Sequence, residues 1–326
     1  MGTQIAPATT PTFETAVDRE SALRSQARGC AVASRSSATL DAYCSDLGHF
    51  DAWATKHGLA TVPATPETVA LYLTSMSEQF KPSTIARRVA AISVAHQHAG
   101  YDSPTTDPSV RAVLTGIRRS IGVAPRQVAP ATIGEIRRMV ARMDHRTIDV
   151  RDRAILLLGF TGAFRRGELV ALDVSDLQAH ENGLTAHVRR SKTDQEGAGM
   201  TKAIPRGSDA ETCPVAAVLS WLNQAEINDG PVFRAVDRHG TVAESRLSAK
   251  AVANVVKRAA DRAGLDSAAF AGHSLRAGFV TTAAANGATE RAIARQTGHA
   301  PGSTVLRAYI RHASAFTDNA ASSLGL

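Results

Sequence analysis

Cysteine is scarce in this chain, with Cys30, Cys44 and Cys213 the only three in 326 residues, far apart and never in a C-x-x-C pair. That excludes a disulfide framework and a thiolate zinc site, and leaves the three expected as buried, small apolar residues. Long hydrophobic runs are missing as well. The longest, Ala154 to Phe160, has seven residues, whereas a membrane-spanning helix needs roughly twenty, so no integral membrane protein is expected. The first dozen residues, MGTQIAPATTPT, contain neither the basic n-region nor the apolar stretch of a secretory signal. They read as part of a flexible tail over 1–20, and a cytoplasmic location follows, nucleoid-associated in a bacterium. No solenoid repeat and no Walker loop, H-E-x-x-H or Mg²⁺-holding acidic cluster stands out.

What is present is an ordinary globular composition, 44% hydrophobic and 21% charged, long enough for two domains with separate cores. The excess of 37 Lys and Arg over 30 Asp and Glu gives +7, which points to a polyanionic partner. The distribution sharpens this. Residues 1–80 have net charge −3, whereas 81–126 carry seven basic side chains against two acidic ones, a local concentration of the kind a DNA-facing surface needs.

The Gly/Pro-punctuated segment 122–130 separates two textures and serves as the linker between a helical domain at 21–121 and a second domain at 131–326. The first contains four amphipathic helices. Ser36 or Ser37 caps one with Leu40, Tyr43, Leu47, Phe50 and Ala54 on its apolar face; Thr65 before Pro66 opens the next; Ser83 caps the third, which Gly100 stops; and Asp107 before Pro108 opens the fourth. Arg87 with Arg88 and Arg118 with Arg119 fall off the apolar stripes of the third and fourth helices, toward solvent or toward phosphates. His96 and His98 face different directions on their helix and read as structural. The second domain is mixed. Helices are expected at 132–143, 149–162, 165–172, 214–226, 248–263, 274–286, 289–297 and 303–311, with a β-hairpin formed by 184–190 and 200–205 around the tip SKTDQEGAG. Arg189 and Arg190 lie beside that tip, and the fold class is mostly α with a small β-sheet.

Five local features of the second domain form an ordered set: Arg165-Arg166-Gly167-Glu168-Leu169 behind Thr161-Gly162, Lys192 in the hairpin, His273-Ser274-Leu275-Arg276, Gly298-His299, and Tyr309. A His with Arg three residues on is weak by itself, and His187 with Arg190 is another instance. Order and context carry the weight, together with the fact that Tyr309 is the one tyrosine after residue 126. In this order the motifs resemble the tyrosine recombinase (phage integrase) family, over nearly the whole chain. Two spacings differ from the family's usual pattern. Ala163 and Phe164 both intervene between Thr161-Gly162 and an arginine, so Arg-x-x-Glu selects Arg165 over Arg166, and Tyr309 lies ten residues beyond His299 where nine is usual, with Pro301-Gly302 able to loop out the extra one.

The resemblance implies a helical, SAM-like core-binding domain and an integrase-type catalytic domain closing on duplex DNA as a C-shaped clamp. It also implies roles for the residues. Cleavage of a phosphodiester by a phenol places negative charge on the non-bridging oxygens, which Arg165 and Arg276 would meet bidentately and His299 would contact as a further donor. His273 would act as general acid/base, Lys192 would protonate the leaving 5′ oxygen, and Tyr309 would form a 3′-phosphotyrosyl bond. Glu168 is expected to be structural, pairing or capping near Arg165, while Lys202 lies across the same hairpin as Lys192. DNA contact by Lys81, Arg87, Arg88, Arg118, Arg119, Arg189 and Arg190 is weighed against ordinary solvated faces. No metal or cofactor is required by this chemistry. The family pattern further implies double-stranded DNA as partner, a dimer on each site and a tetramer in synapsis through a Holliday junction, with Phe316 and Leu324 of the tail as anchors on a neighbour. The alternatives are a tyrosine-type topoisomerase, a catalytically silent DNA binder of the same fold, and a helical scaffold that binds no nucleic acid.

Overall fold

In the computed structural model the described residues are 36–122, 128–191, 194, 198–300, 302–313 and 324. The tail 1–20, Cys30, the middle of the 122–130 segment, Lys192 and Phe316 lie outside them. The chain divides into two compact units between residues 125 and 126.

The first unit is built from α1 (Ser37–Lys56), α2 (Pro66–Met76), α3 (Pro82–Ala99) and α4 (Pro108–Ile121). Their ends follow local chemistry. The Ser36, Thr65 and Asp107 side chains each accept a backbone N–H of the first turn, and Gly100 closes α3 in the left-handed conformation at φ 84°. At α3 the cap differs from expectation, because Pro82 takes the first helical position and makes Lys81, not Ser83, the N-cap residue. The core joins Phe50, Val69, Tyr72, Leu73, Met76, Ile85, Ile92, Val110 and Ile117. His96 is buried, its Nε2 accepting from the Ala64 N–H and its Nδ1 donating to the Ile92 carbonyl. Cys44 is exposed, contrary to expectation, because it lies off the buried stripe of α1, whereas Cys213 is buried.

Arg88 also departs from its expected surface position. It is 7% exposed, its Nε faces Asp46 at 3.4 Å, its Nη1 donates to the Tyr72 hydroxyl, and its guanidinium lies 4.1 Å over the Phe80 ring. The cause is Asp46, 3% exposed, which also takes the Arg87 fork at 2.7 and 3.0 Å. A carboxylate carried inside by α1 draws one arginine in after it and holds the next at the surface.

The second unit runs α5 (Ile133–Val140), α6 (Thr147–Thr161), α7 (Arg166–Ala171), β1 (Leu177–His180), β2 (Gly183–Val188), β3 (Met200–Pro205), α8 (Pro214–Gln224), β4 (Arg234–Val236), β5 (Val242–Arg246), α9 (Ala249–Arg262), α10 (Ser274–Ala285), α11 (Glu290–Thr297) and α12 (Thr304–Ala313). The expected hairpin is β2–β3, and β1 joins it as the third strand of an antiparallel sheet ordered β1-β2-β3. A second hairpin, β4–β5, was not expected. Helix α6 is buried from Ala154 through Phe160 and forms the middle of the main core with Val218, Trp221, Val252, Val256 and Leu275. A small satellite cluster of Val280, Ile293 and Leu306 seats α10, α11 and α12 against one another. Among the described residues no helix is long and apolar enough to cross a membrane.

Candidate active site

Between α6 and α7 the chain turns in four residues, Gly162 to Arg165. Ala163 has φ 47°, left-handed for a non-glycine residue, and a Cβ on Gly162 would fall 2.1 Å from the Phe164 ring. Phe164 itself is 1% exposed. The residue added between Thr161-Gly162 and Arg165 is thus absorbed by a left-handed turn and a buried ring. Arg165 follows as N-cap of α7. Glu168, one turn on and 6% exposed, accepts from the Arg165 backbone N–H at 3.0 Å and from its Nη1 at 2.6 Å, so one carboxylate fixes both the helix start and the guanidinium.

Helix α10 begins immediately after His273, and Arg276 stands one turn in at 2% exposure. Its Nη1 donates to the carbonyls of Ala163 at 2.9 Å and Thr297 at 2.6 Å, and its Nη2 faces His299 Nε2 at 3.2 Å. His299 follows Gly298, which ends α11 at φ 69°. The buried Thr297 hydroxyl donates to the Ile293 carbonyl at 2.8 Å, so at 2.8 Å from His299 Nδ1 it accepts. That assigns the proton to Nδ1 and leaves the Nε2 lone pair facing Arg276. The electrostatics agree. Burial first, then Arg276, Arg165, His273 and Lys202, bring the His299 pKa down to about 4.

Burial, then the guanidiniums of Arg276, Arg165 and Arg166, likewise lower His273. Arg276 is lowered to about 10 by burial and by Arg165, with Glu168 and Tyr309 acting the other way. Tyr309 is half-buried on α12 against the satellite cluster, and Gly302, at φ 75°, turns the chain ahead of that helix. The structure therefore brings Arg165, Glu168, His273, Arg276, His299 and Tyr309 to one place, an electropositive basin with one buried carboxylate. Such a basin can bind a phosphate diester and stabilise added negative charge on it.

Lys202 belongs to this place too. It is 1% exposed, and its Nζ donates to the carbonyls of Gly162 at 2.8 Å and Gln296 at 2.7 Å and lies 4.9 Å from the centre of the Phe164 ring. Burial lowers its pKa to about 7 despite the pull of Glu168, with Arg276 and Arg165 adding to the fall. The sequence signal was the strand period: Lys202 and Ile204 alternate onto the buried face of β3.

The other basic residues lie elsewhere. Lys81, Arg118, Arg119 and Arg190 are exposed. Arg189 is tied to Asp173 and Asp176, which compete with any phosphate for its fork.

Residues 132–315 match the family model described as "Phage integrase family", and residues 31–99 match "Phage integrase, N-terminal SAM-like domain". The chain is 40% identical over 291 residues to an integrase/recombinase XerD homolog of Selenomonas ruminantium, covering 88% of this chain and 85% of that one. A lambda integrase dimer bound to a COC′ core site is similar in structure, with TM-score 0.57 and 18% identity over 89% of this chain and 76% of the other. A lambda integrase tetramer bound to a Holliday junction gives 0.54 and 16% over the same shares.

Proposed function

The chain belongs to the phage integrase family, and from that premise we propose that it is a site-specific DNA recombinase that cuts and rejoins strands through a 3′-phosphotyrosyl bond. The observation that carries the reading is the convergence on Arg276 of Arg165, His299 and Tyr309 from three other segments, with His273 at the start of its own helix.

The scissile phosphate sits against Arg276 Nη2 and the Arg165 guanidinium, with Glu168 keeping Arg165 from swinging away. Tyr309 Oη attacks phosphorus, its proton passing to His273, whose lowered pKa keeps it a free base near neutral pH. The bond to the 5′ oxygen breaks, and Lys192 supplies that oxygen's proton, leaving a 5′ hydroxyl and a 3′-phosphotyrosine. Attack by another strand's 5′ hydroxyl reverses each bond change, so no phosphodiester energy is lost and neither metal nor nucleotide is consumed. His299 changes role along the way. When a phosphate oxygen takes the Arg276 Nη2 donor, the Nε2 lone pair loses that hydrogen bond and gains an anion beside it, so it takes up a proton and donates to the oxygen.

Double-stranded DNA is the partner, with Lys81, Arg87, Arg118, Arg119 and Arg190 as phosphate contacts, a dimer on each site and a tetramer at synapsis. The likeness in fold to integrases solved as a dimer on a core site and a tetramer on a Holliday junction supports this.

The test is capture of covalent protein–DNA adducts from cells expressing wild type or Tyr309→Phe, with sequencing of the attached ends. Discrete junctions seen with wild type alone are expected. Scattered ends that depend on Tyr309 would make the chain a topoisomerase, and DNA bound with no adduct by either protein would make it a silent binder.

A further inference from the structure

Three consecutive carbonyls, from the last residue of α6 into the turn before Arg165, are each held by a side chain from another segment. Thr161 O accepts from Gln296 Nε2 at 2.9 Å, Gly162 O from Lys202 Nζ at 2.8 Å, and Ala163 O from Arg276 Nη1 at 2.9 Å. The same three side chains make second bonds. Lys202 Nζ and Arg276 Nη1 reach the carbonyls of Gln296 and Thr297, the last residues of α11 before Gly298 and His299. Gln296 Nε2 returns to Ala203 O, on the residue after Lys202. Two loops that carry Arg165 and His299 are therefore cross-braced at their bases, and the brace is completed from β3 by a single ammonium.

We propose that Lys202 is a positioning residue for strand cleavage: by bridging the Gly162 and Gln296 carbonyls it sets the separation of the loops that present Arg165 and His299 to one phosphate. It touches neither the phosphate nor the leaving oxygen. Two physical facts make the bridge more than packing. A buried ammonium is costly unless its donors are used, and here two go to carbonyls that hydrogen bonds within helices do not satisfy, since Gly162 caps the end of α6 and Gln296 lies in the last turn of α11. The Phe164 ring and the nearby Glu168 carboxylate supply further compensation. The ring is also the one that absorbs the additional residue of the turn, so Lys202, Phe164 and Ala163 form one device that returns Arg165 to a usable place after a longer connection.

The proposal rests on the assignment of Arg165, Arg276 and His299 to the scissile phosphate, and its test separates the two. Wild type, Lys202→Met, Lys202→Gln, Lys192→Met and Tyr309→Phe are compared on a nicked duplex carrying the captured site, made once with the normal 5′ oxygen and once with a bridging 5′ sulfur, which leaves without a proton. Lys202→Met should bind the duplex as wild type does and cleave it about 100-fold more slowly, the cost of roughly an ångström of misplacement. Sulfur should not restore that rate, although it should restore Lys192→Met. Lys202→Gln, which keeps an N–H₂ donor, should recover part of the loss, and it carries the same comparison if the Met variant does not fold. Wild-type cleavage by Lys202→Met overturns the proposal. Restoration by sulfur overturns it as well, because Lys202 would then be the proton donor. A rate loss that tracks a fallen melting temperature and fallen DNA affinity, with no recovery in Gln, reduces Lys202 to a structural residue. A wild type that cuts neither duplex overturns the functional reading beneath it.

Discussion

A histidine held between a buried threonine and a buried guanidinium takes up a proton only at a cost. His299 should titrate in the free protein with a midpoint near 4, read from its ring proton by NMR, and DNA carrying the site should raise it. A midpoint near the ordinary value in the free protein would contradict the Nδ1–H assignment. The sign for stability follows from its lowered folded-state value. The unfolded chain binds this proton more readily, so the stability His299 contributes is full above about pH 6.5 and is lost as pH falls through about 4. Arg88 and Arg118 make a second contrast at this scale. Arg88→Met should destabilise the helical unit by roughly 3 kcal/mol, because Asp46 keeps its burial and loses a partner. Arg118→Ala, at an exposed site, should leave stability within about 0.5 kcal/mol. Equal melting temperatures for the two variants would refute the buried network. Both Arg88 and Lys202 show where residue-level reading stops. A cation is placed at the surface by default, and the partner that draws it inside comes from a distant segment: α1 for Arg88, the turn before α7 and the end of α11 for Lys202. The motif residues were legible because their chemistry names them; of the residues that hold them, Glu168 was legible from its place three residues after Arg165, and Lys202 was not.

Helix boundaries were the most readable elements, since Thr65 with Pro66, Asp107 with Pro108, Ser248, Gly100 and Gly264 state their caps locally. The strands β1, β4 and β5 escaped because runs of four, three and five residues carry too little alternation to register. Of the expected surface pair on α3, Arg87 stays exposed and Arg88 does not, because the apolar stripe marks a buried face only until a buried carboxylate widens it. Glycines reveal one contact that no periodicity shows. A Cβ on Gly278 of α10 would lie 1.8 Å from the Ala131 carbonyl oxygen, where the chain crosses and Ala131 N–H bonds the Ser274 carbonyl. Gly278→Ala should cost about 3 kcal/mol and slow cleavage beyond what that instability explains, because His273 and Arg276 move with the helix. Calorimetry and a single-turnover assay on the same protein check both halves. An unchanged melting temperature would show that the crossing is looser than it stands.

For the molecule as a whole, the basic concentration over 81–126 was legible as a charge imbalance, and the described surface retains Lys81, Arg118 and Arg119 as exposed cations from it. If these neutralise phosphates, replacing Arg118 and Arg119 together with Ala should reduce the slope of log affinity against log salt by about 2, at unchanged stability. An unchanged slope would move the DNA contact elsewhere. Target sequence stayed illegible, because base-edge contacts depend on a few side chains whose partners are not in the chain, and assembly was legible only through the family resemblance. Chemistry at Tyr309 is the point on which everything else turns, and mass spectrometry of the captured adduct addresses it directly. After nuclease and trypsin digestion, the peptide Ala308-Tyr309-Ile310-Arg311 should carry a nucleotide joined through its 3′ phosphate to the Tyr309 oxygen. A nucleotide on another residue, or one joined through its 5′ phosphate, would contradict the mechanism.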